Sequence, residues 1–160
     1  MKTRLIVLIL LIANFSCTTT NKPVSDAEKD KIKGEIKEVV NSYIKGCEEA
    51  NFDLVREQLI DSPDFVYIIN GNTFNYKDAV EISEPAFAAL QNLKFTIVDE
   101  KYAILDNSTV LYTLNCTNAV NFKDGRSELY DPCVLLLVFE KIDSKWGVIT
   151  GVESSVMQIN

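Results

Sequence analysis

Apolar side chains at Ile32, Ile36, Val39, Val40, Tyr43 and Cys47 recur at helical spacing through a charged background. Ser25-Asp26-Ala27-Glu28 precedes them and has the S-x-x-E form of a capping box, in which serine and glutamate satisfy each other's free amides. The pattern predicts one long amphipathic helix over about 25–49. Asn51-Phe52-Asp53 breaks it, and Asp53 is expected to cap a short second helix carrying Leu54, Val55 and Leu59. Asp61-Ser62-Pro63-Asp64 then turns the chain into a short strand, Phe65 to Ile69, which ends at the turn signal Asn70-Gly71. Asp78 is expected to open a third helix. Pro85 lacks an amide, so a kink or restart is expected there, with Ala86 to Leu90 packing as an apolar turn.

From Leu93 the periodicity changes to that of strands, read as 93–104, 109–122, 127–141 and 146–156. Asp106-Asn107, Asp124-Gly125 and Asp143-Ser144 are the turns of a three-hairpin meander. A two-residue turn at Asp124-Gly125 sets Val110 opposite Phe139, Tyr112 opposite Leu137, Leu114 opposite Leu135, Cys116 opposite Cys133 and Asn118 opposite Asp131. A two-residue turn at Asp143-Ser144 sets Phe139 opposite Val148, Leu137 opposite Thr150 and Leu135 opposite Val152. The hairpins agree on which face is the more apolar. A slip of one residue would reverse every assignment.

The same register brings Cys116 and Cys133 within reach of a disulfide, since a non-hydrogen-bonded antiparallel pair has Cα atoms ~4.5 Å apart. Two buried free thiols are the other reading.

The N-terminus obeys a different pattern. Met1-Lys2-Thr3-Arg4 is basic, Leu5 to Ala13 is unbroken apolar sequence, and Asn14-Phe15-Ser16 leads to Cys17. An apolar run this short cannot cross a bilayer, which takes ~20 residues, and it matches the core of a secretory signal. Ser16-Cys17 resembles a lipobox, in which the cysteine takes a lipid and becomes the first mature residue. Asn14 and Phe15 depart from that motif and leave an ordinary cleaved signal as the alternative. The expected organisation is a signal over 1–16, lipidated Cys17 with a flexible tether over 17–25, and a folded domain over 26–160. The expected location is the bacterial cell envelope, anchored by the lipid and facing the periplasm.

Composition narrows the chemistry. The formal charge of −7 becomes −9 once Lys2 and Arg4 are removed, which argues against nucleic acid and against adhesion to an anionic leaflet. The chain has no histidine, which excludes Ser-His-Asp and Cys-His nucleophile systems and histidine-bound zinc. It has no C-x-x-C pair and no Gly-rich phosphate loop, so neither a metal nor a cofactor is expected.

The order of long helix, short helix, strand, third helix and meander resembles the nuclear transport factor 2-like superfamily, including SnoaL-like proteins and ketosteroid isomerases. The residues carrying the resemblance are Tyr43-Ile44, Asn51-Phe52-Asp53, Asp64-Phe65-Val66, Asn70-Gly71, and the closing hairpin Val138-Phe139-Glu140-Lys141 to Lys145-Trp146-Gly147-Val148. It spans about 30–156. It implies an α+β fold in which a curved antiparallel sheet wraps the N-terminal helices and leaves a conical cavity. Tyr112, Leu114, Leu137, Thr150 and Val152 would face inward with Phe65, Tyr67 and Ile69. Leu111, Val134, Leu136, Val138 and Ile149 would face outward, too apolar to leave wet, which implies a homodimer through that face.

The resemblance also implies an acid–base site, which can be carried over one position at a time. The ketosteroid isomerase tyrosine falls on Tyr43. The base falls on Ile69, or on Asn70 with a slip of one, and the aspartic acid of the penultimate strand falls on Leu135. Neither replacement titrates. Scytalone-dehydratase-like members rely on a histidine that is absent here. Asp131 remains as the candidate acid or base, against the reading that it sits at a wet strand end beside Asn118. Glu153, by parity, is expected at the dimer rim or in solvent.

Tyr43, Tyr67, Tyr112, Leu137, Thr150 and Trp146 are the expected pocket for a small apolar ligand, unless those rings fill the core. The leading expectation is a membrane-tethered, non-catalytic domain binding a small apolar ligand or a partner protein. The alternatives are an isomerase, cyclase or hydratase built on Asp131 with tyrosine hydroxyls, and a structural dimer with a filled core.

Overall fold

The computed structural model describes residues 23–159. The expected signal, Cys17 and most of the tether lie outside the described residues. Helix α1 spans Asp26–Glu48 and starts with the expected capping box: Glu28 N donates to Ser25 Oγ at 3.4 Å and Ser25 N donates to Glu28 Oε2 at 3.0 Å. Its buried face carries Ile32, Ile36, Val40, Tyr43 and Cys47.

Two caps differ from expectation. Helix α2 (Phe52–Arg56) is capped by Asn51, whose Oδ1 accepts from Leu54 N, while Asp53 lies inside the first turn and pairs with Arg56 at 2.6 Å. Helix α3 (Tyr76–Ala89) is likewise capped by Asn75, which accepts from Asp78 N at 2.9 Å. A cap needs an extended backbone just before the first helical residue, and both asparagines hold that position. Pro85 lies within α3 without ending it, and no apolar turn follows, because strand β3 begins at Leu90. Only Ala79 of α3 is buried, so water can reach the carbonyl that Pro85 leaves unbonded.

Strand β1 (Val66–Ile69) folds back on a strand the sequence did not reveal, β2 (Asn72–Phe74), through Asn70 and Gly71 at φ of 47° and 88°. Three mostly polar residues carry no readable alternation. The meander follows as β3 (Leu90–Ile104), β4 (Thr109–Phe122), β5 (Ser127–Ile142) and β6 (Lys145–Met157). The six strands form one sheet, in the order β2-β1-β6-β5-β4-β3. The fold is the expected α+β arrangement, with N-terminal helices against a curved, unclosed sheet. The sheet is mixed where an antiparallel one was expected, because β1 runs parallel to β6.

The meander register is right in one half and wrong in the other, for a physical reason. Near the Asp124-Gly125 turn the β4–β5 pairs are displaced by one, as in Asn121 with Ser127 and Asn118 with Tyr130. An extra residue at Asp131-Pro132 bulges out of β5 and restores the expected pairing from Cys116–Cys133 to Val110–Phe139. Asn118 therefore does not face Asp131.

The β5–β6 hairpin has its two-residue turn, with Asp143 and Ser144 both at positive φ, and Phe139 pairs Val148 as expected. Ile149 is then an extra residue in β6. Beyond that bulge Leu137 pairs Gly151 and Leu135 pairs Glu153, not Thr150 and Val152. One inserted residue reverses the faces of everything after it. Thr150 and Val152 turn to the outer face, where they pair Val138 and Leu136, Ile149 is buried, and Glu153 turns inward.

Candidate functional site

A cavity of about 260 Å³ lies between the sheet and the three helices. Helix α1 contributes Tyr43 and Cys47, α2 contributes Phe52 and Val55, and α3 covers one side with Ala79, Ile82, Ser83, Ala86 and Phe87. The sheet supplies Tyr67 and Ile69 from β1, Leu93 and Phe95 from β3, Asn118 from β4, Cys133 and Leu135 from β5, and Glu153 from β6. The rings of Tyr43 and Tyr67 therefore do not fill the space between helices and sheet. A cavity of ~150 Å³ lined by apolar side chains holds benzene, so this one suits a body of roughly ten heavy atoms.

Of the expected pocket residues, only Tyr43 and Tyr67 line it. Tyr112 and Leu137 are buried in the packed core under α1. The Tyr112 hydroxyl donates to Glu100 Oε2 at 3.2 Å, a carboxylate that also accepts from Tyr102. Trp146 closes the other hairpin: its Nε1 donates to Glu35 Oε2 at 2.6 Å, and Lys141 Nζ reaches the same oxygen at 2.8 Å. Lys141 and then Trp146 hold the Glu35 carboxyl below the usual range, so this trio fastens α1 to the sheet. Thr150 is half-buried on the outer face. Asp131 is exposed at the β5 bulge, and its carbonyl accepts from Gln158 Nε2. It does not line the cavity, so the acid–base role assigned to it is corrected.

The carboxylate of the cavity is Glu153. Burial alone pushes its carboxyl up. Among the described residues nothing donates a hydrogen bond to its side chain, and no lysine or arginine lines the cavity. The ionisable groups around it are weak acids. Tyr43 and Tyr67 share a hydrogen bond between their hydroxyls, 3.1 Å apart. Desolvation, then neighbouring negative charge, raises both phenols. Both protons therefore stay on at neutral pH, and because one hydroxyl donates to the other, one proton is left to offer an acceptor in the cavity. Gly151 makes this placement feasible: a Cβ there would lie 2.2 Å from the Tyr67 ring.

Cys116 and Cys133 face each other as free thiols. Asn118 lies between them: Cys116 Sγ donates to Asn118 Oδ1 at 3.4 Å and Asn118 Nδ2 donates to Cys133 Sγ at 3.3 Å.

The profile of the SnoaL-like domain family matches residues 36–158. The chain belongs to the SnoaL-like domain family. Solved structures share the fold of this SnoaL-like domain. A type 2 hexachlorocyclohexane dehydrochlorinase, LinA, is 13% identical, with a TM-score of 0.70 over 84% of this chain and 92% of its own. A Novosphingobium aromaticivorans protein provisionally assigned as a scytalone dehydratase is 7% identical, with a TM-score of 0.74 over 85% of this chain and 94% of its own. A nuclear transport factor 2-like superfamily protein from Salmonella enterica serovar Typhimurium is 14% identical, with a TM-score of 0.70 over 82% of this chain and 96% of its own. A search of curated proteins found no match. The expectation of a non-catalytic SnoaL-like domain is corrected: structural neighbours carry enzyme names, and a carboxylate with no counter-charge stands in the cavity.

The sequence pointed to Asp131 because it assumed ladders without bulges. Two signals were available for Glu153: it is a charged residue within a strand, and it follows Gly151, a residue weak in strands unless another group approaches closely.

Proposed function

We propose that this SnoaL-like domain is an enzyme of the isomerase, cyclase or hydratase kind, moving a proton on a small, largely apolar substrate. Glu153 is the base that takes the proton and returns it as acid, and the Tyr43–Tyr67 hydroxyl pair donates to the substrate oxygen that gains charge. The observation carrying this reading is the Glu153 carboxylate, unpaired within an apolar, aromatic-walled cavity. A carboxylate with a raised pKa is a stronger base, and among the described residues no lysine or arginine lines the cavity to weaken it. The neighbours named as a dehydrochlorinase and a dehydratase add support, since elimination also begins with loss of a proton.

Proton exchange tests this without knowledge of the substrate. Small cyclic ketones, including cyclohexanone and 2-cyclohexenone, are incubated with the protein in deuterium oxide and followed by NMR. We expect exchange at carbon beside the carbonyl, falling ~10²-fold or more in Glu153→Gln, since a positioned base contributes ~10²–10⁴. Equal rates in the two proteins would end the reading.

The setting belongs to the same proposal. The basic start, short apolar run and Ser16-Cys17 support export and lipidation at Cys17, with the domain in the periplasm. Labelled palmitate should enter the wild type and not Cys17→Ser. Leu111, Val134, Leu136 and Val138 support a homodimer through the outer sheet face, where they remain partly exposed. Sedimentation should show a dimer that Leu136→Glu converts to monomer; a wild-type monomer would rule this out.

A further inference from the structure

We propose that Cys116 and Cys133 form a dithiol that hydrogen peroxide entering the cavity oxidises to a cross-strand disulfide. Cys133 lines the cavity and Cys116 stands directly behind it, as its partner on the neighbouring strand. Directly opposed residues of antiparallel strands have Cα atoms ~4.5–5.5 Å apart. That lies within the ~4.4–6.8 Å a disulfide spans, so directly opposed strand residues are placed for closure. Asn118 bridges the two sulfurs, accepting from Cys116 Sγ and donating to Cys133 Sγ, and so holds both in place.

Burial leaves no other route to this pair: both cysteines are 2% exposed, and only Cys133 touches the cavity. A large disulfide oxidant is therefore unsuited, whereas a peroxide is close to water in size. The neighbouring Cys116 sulfur, then burial, hold the Cys133 proton tightly, so it is given up only as Cys133 attacks one peroxide oxygen: the O–O bond breaks, Cys133 becomes a sulfenic acid, and the other oxygen leaves as water with that proton. The Cys116 sulfur then attacks Cys133 Sγ, the S–S bond forms, and the sulfenic oxygen leaves as a second water with the Cys116 proton. Two thiols and one hydrogen peroxide give one disulfide and two waters.

Cys47 provides an internal comparison. It also lines the cavity, but it sits on α1 with no facing cysteine among the described residues. The inference is independent of any role for Glu153, although the bridge would remove the proton that Asn118 accepts in the same cavity wall.

The test is peroxide treatment of the reduced full chain, followed by digestion and mass mapping. We expect one bridged species joining the Cys116 and Cys133 peptides, lighter by two hydrogens and reversed by dithiothreitol, with Cys47 still open to alkylation after unfolding. Cys116→Ser should stop at a Cys133 sulfenic acid trapped by dimedone, and Cys133→Ser should leave Cys116 reduced. A bridge through Cys47, conversion of Cys133 to sulfinic acid without a bridge, or thiols left intact at peroxide levels that oxidise glutathione would each overturn the proposal. The wild-type map decides even if a variant fails to fold.

Discussion

Glu153 is the direct partner of Leu135 across the β5–β6 ladder. On its other side it pairs with Ile69 of β1. Leu135 and, in the alignment without a slip to Asn70, Ile69 are the positions where the family resemblance places carboxylates that this sequence lacks. The strand between them supplies one instead, so the acidic group has moved by one strand while staying in the same cavity.

That relationship predicts rescue. Leu135→Asp combined with Glu153→Gln should recover about tenfold of the lost ketone exchange, because a positioned base restores part of a ~10²–10⁴ effect. Stability should fall, since an apolar contact becomes a buried carboxyl. Exchange rates together with thermal melts check both halves. No recovery in a folded double variant would show that the cavity cannot use a base from that strand.

The raised pKa of Glu153 predicts a pH signature. Burial makes the folded chain hold this proton more tightly than the unfolded chain does. Its contribution to stability is therefore complete below the unfolded carboxyl value and is lost as pH rises through the folded value. Glu153→Gln should melt at a higher temperature than the wild type at neutral pH, and the gap should close in acid. Activity runs the opposite way, since the base works ionised and the rate should fall as pH drops through the raised value.

Gly151 carries a geometric prediction. A methyl group there meets the Tyr67 ring, with the nearest atoms at 2.2 and 2.4 Å. Gly151→Ala should cost ~1–3 kcal/mol, the usual range for overpacking a filled site. It should also shift Tyr67 away from Tyr43, lowering exchange beyond what the stability loss explains. Chemical denaturation and kinetics on the same samples separate the two effects.

The tyrosines should divide by location. Tyr43→Phe and Tyr67→Phe remove hydroxyls that face the cavity and should slow exchange. Tyr112→Phe removes only the bond to Glu100, costing ~1 kcal/mol of stability while leaving exchange unchanged. Equal kinetic losses in all three would contradict the placement of Tyr112 outside the cavity.

The sequence by itself determined the elements: the capped α1, the positions of β4 to β6, the pairs from Cys116–Cys133 to Val110–Phe139, and the aromatic Tyr43 and Tyr67 of the cavity. These follow from local signals, namely periodicity, caps and turns, which each stretch of chain carries on its own. The tertiary structure alone decided the site's carboxylate, the exclusion of Tyr112, Leu137, Thr150 and Trp146, and the outward position of Asp131. Two bulges, at Ile149 and at Asp131-Pro132, made that difference. Pro132, which cannot donate to a ladder, and Gly151 mark weak points in these strands, but which residue drops out of the pairing is set by how two strands bend to cover the helices, and that choice reverses the face of every residue beyond it.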